Sequence, residues 1–322
     1  MKLGVLTVLL GDRPFKEAVA YLKSLGVEAL EIGCGGYPGK AHCDPEVLLN
    51  DEAKLAEFKA VIDEAGMTIA ALSAHGNPVH PNKEIAEGFR KDFENCVLLA
   101  EKLGVKTVVT FSGCPGDSAR SKYPNWVTCP WPEDFLEILE WQWKKVLIPY
   151  WKKTAKFAAE HGIEKIAFEM HPGFCVYNPE TLLRLRKAVG PIITANFDPS
   201  HLFWQGIDPV AAIRELAGAI GHFHAKDTRI EPYNTAKNGV LDTKHYGDEL
   251  NRSWIFRSVG YGHDHQVWCD MMSQLVLSGY EGAICIEHED SLMSSEEGLE
   301  KAVDFLKDVI IKSKKPGGLF WA

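Results

Sequence analysis

The chain has 322 residues, 46% hydrophobic and 25% charged, a composition that suits a globular protein with a sizeable core. Its 35 Lys and Arg against 44 Asp and Glu leave a formal charge of −9, which excludes a general nucleic-acid surface, because that requires a basic stripe. No apolar run reaches the length of a membrane span, no leader pattern opens the chain, and eight cysteines without a Cys-x-x-Cys pair fit the reduced thiols of a cytoplasmic protein.

Residues 3–10 form a continuous apolar run of strand length. Residues 14–25 place Phe15, Val19 and Leu22 at helical spacing, and Gly26 closes them. A strand at 27–32 leads into the glycine-rich stretch 33–39, expected as a loop. A helix follows at 51–65, then a strand at 67–72, with His75 and Asn77 beyond its end. A long helix at 83–103 precedes a strand at 105–111. An insertion containing Pro and Trp covers about 117–132, and a helix at 135–161 is interrupted near Pro149. Its Trp141, Trp143, Tyr150 and Trp151 exceed what one helix face usually buries. Together with the tail Leu319-Phe320-Trp321 they predict a homo-oligomer. Next come a strand at 163–168, a helix at 179–189, a strand at 192–197, a helix at 209–217 and a strand at 219–223. Residues 228–264 read as a long irregular segment, a lid or a subunit contact. A helix at 266–278, a strand at 281–287 and a helix at 296–313 complete the pattern.

Eight strand–helix units in unbroken alternation imply a parallel sheet, and this chain length suits a closed (β/α)8 TIM barrel in a single domain, residues 1–322. The alternative is an open doubly wound sheet, but no Gly-x-Gly-x-x-Gly follows the first strand. In a barrel the active site lies at the C-terminal strand ends. Those ends carry Glu31, His75, Ser112, Glu169, Asp198, His224 and Glu287.

The last four strands end in Glu169, Asp198, His224 and Glu287. A carboxylate at the mouth of a buried strand is costly unless a cation or a proton uses it. A single strand-end Glu is usually solvated or paired with Lys; four metal-competent groups on consecutive strands argue for one site. The set is rich in hard oxygen donors and suits one divalent ion, Mn²⁺ first, with Mg²⁺, Co²⁺ or Zn²⁺ possible. Such an ion polarises a carbonyl and acidifies the neighbouring C–H, and Glu169 and Glu287 are the candidate acid–base pair. His222 shares a strand face with His224 and reads as a core or supporting histidine. His201, His171 and His75 are candidate substrate contacts. Lys226, Asp227 and Arg229 could bind substrate hydroxyls or phosphate, or form a plain salt-bridge cluster. Phe174, Phe203 and Trp204 could floor a sugar pocket, although packing is the commoner role.

Four stretches, Phe-Glu-Met-His at 168–171, Asn-Phe-Asp-Pro-Ser-His at 196–201, Gly-His-Phe-His-Ala-Lys-Asp at 221–227 and Ile-Glu-His at 286–288, resemble the sugar phosphate isomerase/epimerase family, the xylose isomerase-like barrels. The resemblance covers nearly the whole chain. It implies Glu169, Asp198, His224 and Glu287 as metal ligands, Glu169 and Glu287 as acid and base, and His201 as a substrate contact. Asp227 stands where ketose epimerases of the family carry a Glu, and the Arg that follows there is shifted by one, to Arg229. The implied substrate is a small carbohydrate. The first expectation is a sugar or sugar phosphate isomerase or epimerase. The second is a lyase that dehydrates an inosose or cleaves a 3-oxo-glycoside by β-elimination. The net charge opposes a relative of endonuclease IV, and the intact donor set opposes a non-catalytic sugar-binding barrel.

Overall fold

Short apolar runs alternate with amphipathic segments along the chain, and in the computed structural model, which describes residues 1–313, they become strands and helices in turn. The strands are β1 (Lys2–Leu6), β2 (Ala29–Gly36), β3 (Thr68–His75), β4 (Thr107–Thr110), β5 (Lys165–Glu169), β6 (Ile193–Phe197), β7 (Ile220–Ala225), β8 (Asp227–Ile230), β9 (Trp254–Arg257) and β10 (Ala283–Ile286). The helices between them are α1 (Phe15–Ser24), α2 (Pro45–Leu48), α3 (Glu52–Ala65), α4 (Lys83–Leu103), α5 (Asp134–Trp141), α6 (Ile148–Glu160), α7 (Pro179–Val189), α8 (Pro199–Phe203), α9 (Pro209–Glu215), α10 (Pro232–Asn238), α11 (His265–Leu277) and α12 (Ser295–Val309). Eight parallel strands close in the order β1-β10-β7-β6-β5-β4-β3-β2, so the expected (β/α)8 barrel is formed. Closure is made by β1 on β10, with Lys2 opposite Ala283 and Val5 opposite Ile286. Among the described residues no helix is long and apolar enough to cross a membrane.

Four expectations change. The run at 3–10 stops being a strand at Leu6, and Thr7–Leu10 turns as a 3₁₀ helix that brings Val8 to the barrel mouth. The stretch 33–39 is not all loop, because β2 continues to Gly36. Gly35 and Gly36 answer neighbours distant in sequence, Asp92 and His75. Gly36 has φ +64, and a Cβ there would fall 1.8 Å from the His75 carbonyl oxygen.

The helix expected at 135–161 is interrupted near Pro149 as expected, by a wide π-type stretch, Gln142–Leu147, while the role of its aromatics differs. Proline lacks an N–H and crowds the preceding turn, and a wider turn accommodates both. The aromatics expected to face a partner are largely used inside the chain. Trp143 and Trp151 are fully buried. Trp151 donates to the Ser112 carbonyl at 2.8 Å and meets Phe168 edge-on at 4.5 Å, while Arg184 lies over Trp143 at 4.0 Å. The other part of that expectation, the tail at 319–322, lies outside the described residues.

Finally, the segment 228–264 is only partly irregular. It holds an antiparallel hairpin, β8 on β9, with α10 between the strands. Thr228, Ile230, Trp254 and Phe256 share one hairpin face by strand alternation. Trp254 and Phe256 bury that face against Trp204, which stacks on Trp254 at 4.6 Å.

Candidate metal centre at the barrel mouth

The barrel directs the ends of β5, β6, β7 and β10 toward one point. Glu169, Asp198, His224 and Glu287 each present a donor atom there, and these four atoms lie within 4.8 Å of one another. Each donor is fixed from behind. Asp198 caps α8, its Oδ1 accepting from the Ser200 N–H at 2.8 Å, which leaves Oδ2 for the site. That Oδ2 is buried without a directed hydrogen bond and is flanked by Lys226 Nζ at 3.1 Å and His201 Nε2 at 3.2 Å. Glu169 accepts from His201 at 3.0 Å, His75 at 3.1 Å and Asn196 at 3.3 Å. Burial opposes its charge, yet the bonds from His201, His224 and His75 outweigh it and hold the carboxyl well below the usual range.

His224 is oriented by Glu31, a buried residue on β2. Glu31 Oε2 lies 2.7 Å from Nε2 of His224 and 2.7 Å from Nε2 of His222, and Ser73 donates to its other oxygen. With Nε2–H given to Glu31, the Nδ1 of His224 faces Glu287 at 3.0 Å and Glu169 at 3.3 Å. A histidine that gives its second N–H to a carboxylate is the usual arrangement of a metal ligand. Burial works against a proton on His224, but Glu31 and Glu287 more than offset it and push its pKa well above the usual histidine value. The same negative field favours a divalent cation. Three carboxylates and one imidazole suit a hard divalent cation.

A cavity of about 160 Å³ opens over this point. Its walls include Glu169, Glu287, His75, His171, Lys226, Tyr37 and Phe111. Phe174 stacks on Phe111 at 4.3 Å behind that wall. Burial and the neighbouring His201 lower the pKa of His171 to about 3, so this wall residue is neutral at physiological pH. Lys226 is 2% exposed, with Nζ 2.8 Å from Glu287, 3.0 Å from Glu289 and 3.1 Å from Asp198. Burial opposes its charge, but Asp198, Glu287 and Glu289 hold its pKa well above the usual lysine value.

Three sequence candidates do not line the cavity. His201, expected as a substrate contact, is buried with Nε2 3.0 Å from Glu169 and 3.2 Å from Asp198, so it supports the donors instead. Asp227 follows Lys226 and therefore points the other way from the strand. Its Oδ2 accepts from the backbone N–H of Gly260 and Gly262 at 3.1 Å and of His263 at 2.9 Å, pinning the return from the hairpin. Gly262 has to be glycine, since a Cβ there would lie 2.3 Å from the Thr228 carbonyl oxygen. Arg229 stands on the outer face of β8, beside Glu231 and Ile255. Phe203 and Trp204 pack on His263 and Trp254 and do not floor the cavity. The residue whose role went unread was Glu31. The available signal was a carboxylate inside an otherwise apolar strand, facing two histidines spaced by two.

The xylose isomerase-like TIM barrel family model matches residues 19–309. The chain belongs to this family. YfiH of Bacillus subtilis (strain 168) is 43% identical over 312 residues, covering 96% of this chain and 99% of that protein. An inosose dehydratase of Mesomycoplasma hyopneumoniae (strain 7448) is 24% identical, covering 93% of this chain and 90% of its own. Among solved structures, the 3-keto-D-glucoside 4-epimerase YcjR of E. coli superposes with a TM-score of 0.65 at 15% identity, covering 96% and 99% of the two chains, a likeness of fold. Two of these similar proteins are thus a dehydratase and an epimerase by name.

Proposed function

We propose that this protein is a divalent-metal-dependent isomerase or epimerase of a sugar or sugar phosphate, with Mn²⁺ as the ion. One observation carries the reading: of the four convergent donors, Glu169 and Glu287 are the two that also line the cavity. They are therefore the carboxylates a substrate can touch. The bound ion would supply Lewis-acid polarisation of a substrate carbonyl. Glu169 takes the proton from the carbon beside that carbonyl, and Glu287 returns one from the other side. His201 and His75 hold Glu169 in place during the transfer. On the cavity wall Lys226 supplies a donor for a substrate oxygen, and His171, whose Nδ1–H is given to the Pro172 carbonyl, offers Nε2 as an acceptor for a substrate hydroxyl. The aromatic wall of Tyr37 and Phe111 packs on the apolar face of the sugar and keeps water from the exchanging carbon.

The second reading is a lyase that begins with the same proton abstraction and then expels a β-substituent. The inosose dehydratase relative, matched over most of both chains, supports it. Proton NMR in D₂O with Mn²⁺ replaced by Mg²⁺ separates the two. The substrates are a free ketose, a ketose phosphate, an inosose and a 3-oxo-glycoside. Deuterium entering a sugar that keeps all its oxygens supports the isomerase or epimerase. Loss of water or aglycone supports the lyase, and no exchange with any of them counts against both. In either case Glu169→Gln and Glu287→Gln lower turnover by at least about 10² while the circular dichroism spectrum is unchanged. Full activity in either variant removes that residue from the mechanism.

A further inference from the structure

Alternation along β7 and the position after it puts His222, His224 and Lys226 on the inward face at three depths. The lowest is braced on Glu31, and the middle one turns Nδ1 toward the donor set. Lys226 cannot be a ligand while charged, because an ammonium has no lone pair. Its Nζ nevertheless lies 3.1 Å from Asp198 Oδ2 and 2.8 Å from Glu287 Oε2, both carboxylates of the donor set. The Phe256 ring lies 4.7 Å from Nζ on the hairpin side. The third carboxylate on this ammonium, Glu289 at 3.0 Å, lies outside the donor set.

We infer that Lys226 is a built-in competitor of the cation: its ammonium shares the Asp198 and Glu287 carboxylates with a divalent ion and holds down the affinity of the site for it. The inference rests on the four donors being a cation site. Two positive groups on the same buried carboxylates repel with little screening. Removing the lysine charge ends that repulsion and leaves both carboxylates to the ion. Occupancy of the native site then follows the supply of the ion instead of being permanent.

The test is Mn²⁺ binding, read by the electron paramagnetic resonance of free Mn²⁺, on the wild type, Lys226→Met and Lys226→Arg. The Met variant is expected to bind about tenfold tighter, the scale of one like charge removed from a buried site. The Arg variant keeps the charge and stays close to the wild type. Where the Met variant needs the ion to fold, it is purified with Mn²⁺ and challenged with EDTA, and slower release than from the wild type is expected. A Met variant that binds no tighter, or releases no more slowly, overturns the inference while leaving the cation site standing. An Arg variant as tight as Met overturns it too, because the effect is then steric. A wild type that takes up no Mn²⁺ removes the cation site and the inference together.

Discussion

Replacing Glu31 by Gln tests how far the donor set depends on its support. The substitution keeps the volume and removes the charge. Glu31 Oε2 accepts from His222 and His224 at 2.7 Å each, and Ser73 bonds the other oxygen. A glutamine that turns its carbonyl oxygen to the two histidines and its NH₂ to the Ser73 hydroxyl keeps the contacts but not the charge, so the histidine bonds cease to be charge-assisted. Losing one charge-assisted bond of this kind costs about 1.5–3 kcal/mol. If that cost falls on the orientation of His224, Mn²⁺ affinity drops about 10- to 100-fold, the range for lost supporting contacts at metal sites. The two figures agree, since tenfold corresponds to about 1.4 kcal/mol. The assay is the same Mn²⁺ titration, with a urea melt in EDTA to record the stability change separately. Affinity within about twofold of the wild type, alongside a measurable loss of stability, would falsify the idea that Glu31 sets the tautomer and aim of His224.

Two further predictions concern the hairpin. Asp227→Ala leaves the N–H groups of Gly260, Gly262 and His263 without their shared acceptor, and is expected to cost about 3 kcal/mol and to speed proteolysis within 228–263. A urea-melt change under about 0.5 kcal/mol would show that this carboxylate does not hold the hairpin. Asp242 accepts from the Lys244 N–H at 2.9 Å and the Ser253 N–H at 2.7 Å, and these bonds outweigh its burial and lower its pKa to about 2. A folded pKa below the unfolded value of about 3.9 means stability that is complete above that value and lost as pH falls toward the folded one. The difference in urea midpoint between wild type and Asp242→Asn should therefore be full at pH 7, shrink below pH 4 and vanish near pH 2. A difference independent of pH would refute the assignment.

The barrel was legible because each core strand is a short apolar run followed by a helix with its own start and stop signals. Asn178 opening α7 with a capping box and Gly104 closing α4 are such signals. The extension of β2 was not legible. Gly33, Gly35 and Gly36 read locally as a loop, whereas they are small because Pro38, Asp92 and His75 approach them. The hairpin was hidden for a similar reason: its two strands are four residues each and pair across most of the 228–264 segment. At the site, the four convergent donors could be picked out because each ends its own strand. Glu31 could not be assigned a role, because its partner His222 is 191 residues away. Asp227 was grouped with Lys226 by adjacency, although the two-residue period of a strand already sends neighbours to opposite sides.

That period also makes the chemistry of this barrel depend on parity. His222, His224 and Lys226 all occupy even positions of one strand, and Gly221, Phe223 and Ala225 occupy the odd ones. Losing one residue from the turn between α9 and β7 while the pairing with β6 is kept would exchange the two sets. The brace, the donor and the ammonium would leave the interior in one step, and the Phe223 ring would enter it. Losing two residues would shift the same three groups by one level and keep them inside. The fold should therefore tolerate length changes before this strand in pairs far better than singly, although a shift of one level, about 6.5 Å, also carries His224 away from the donor set.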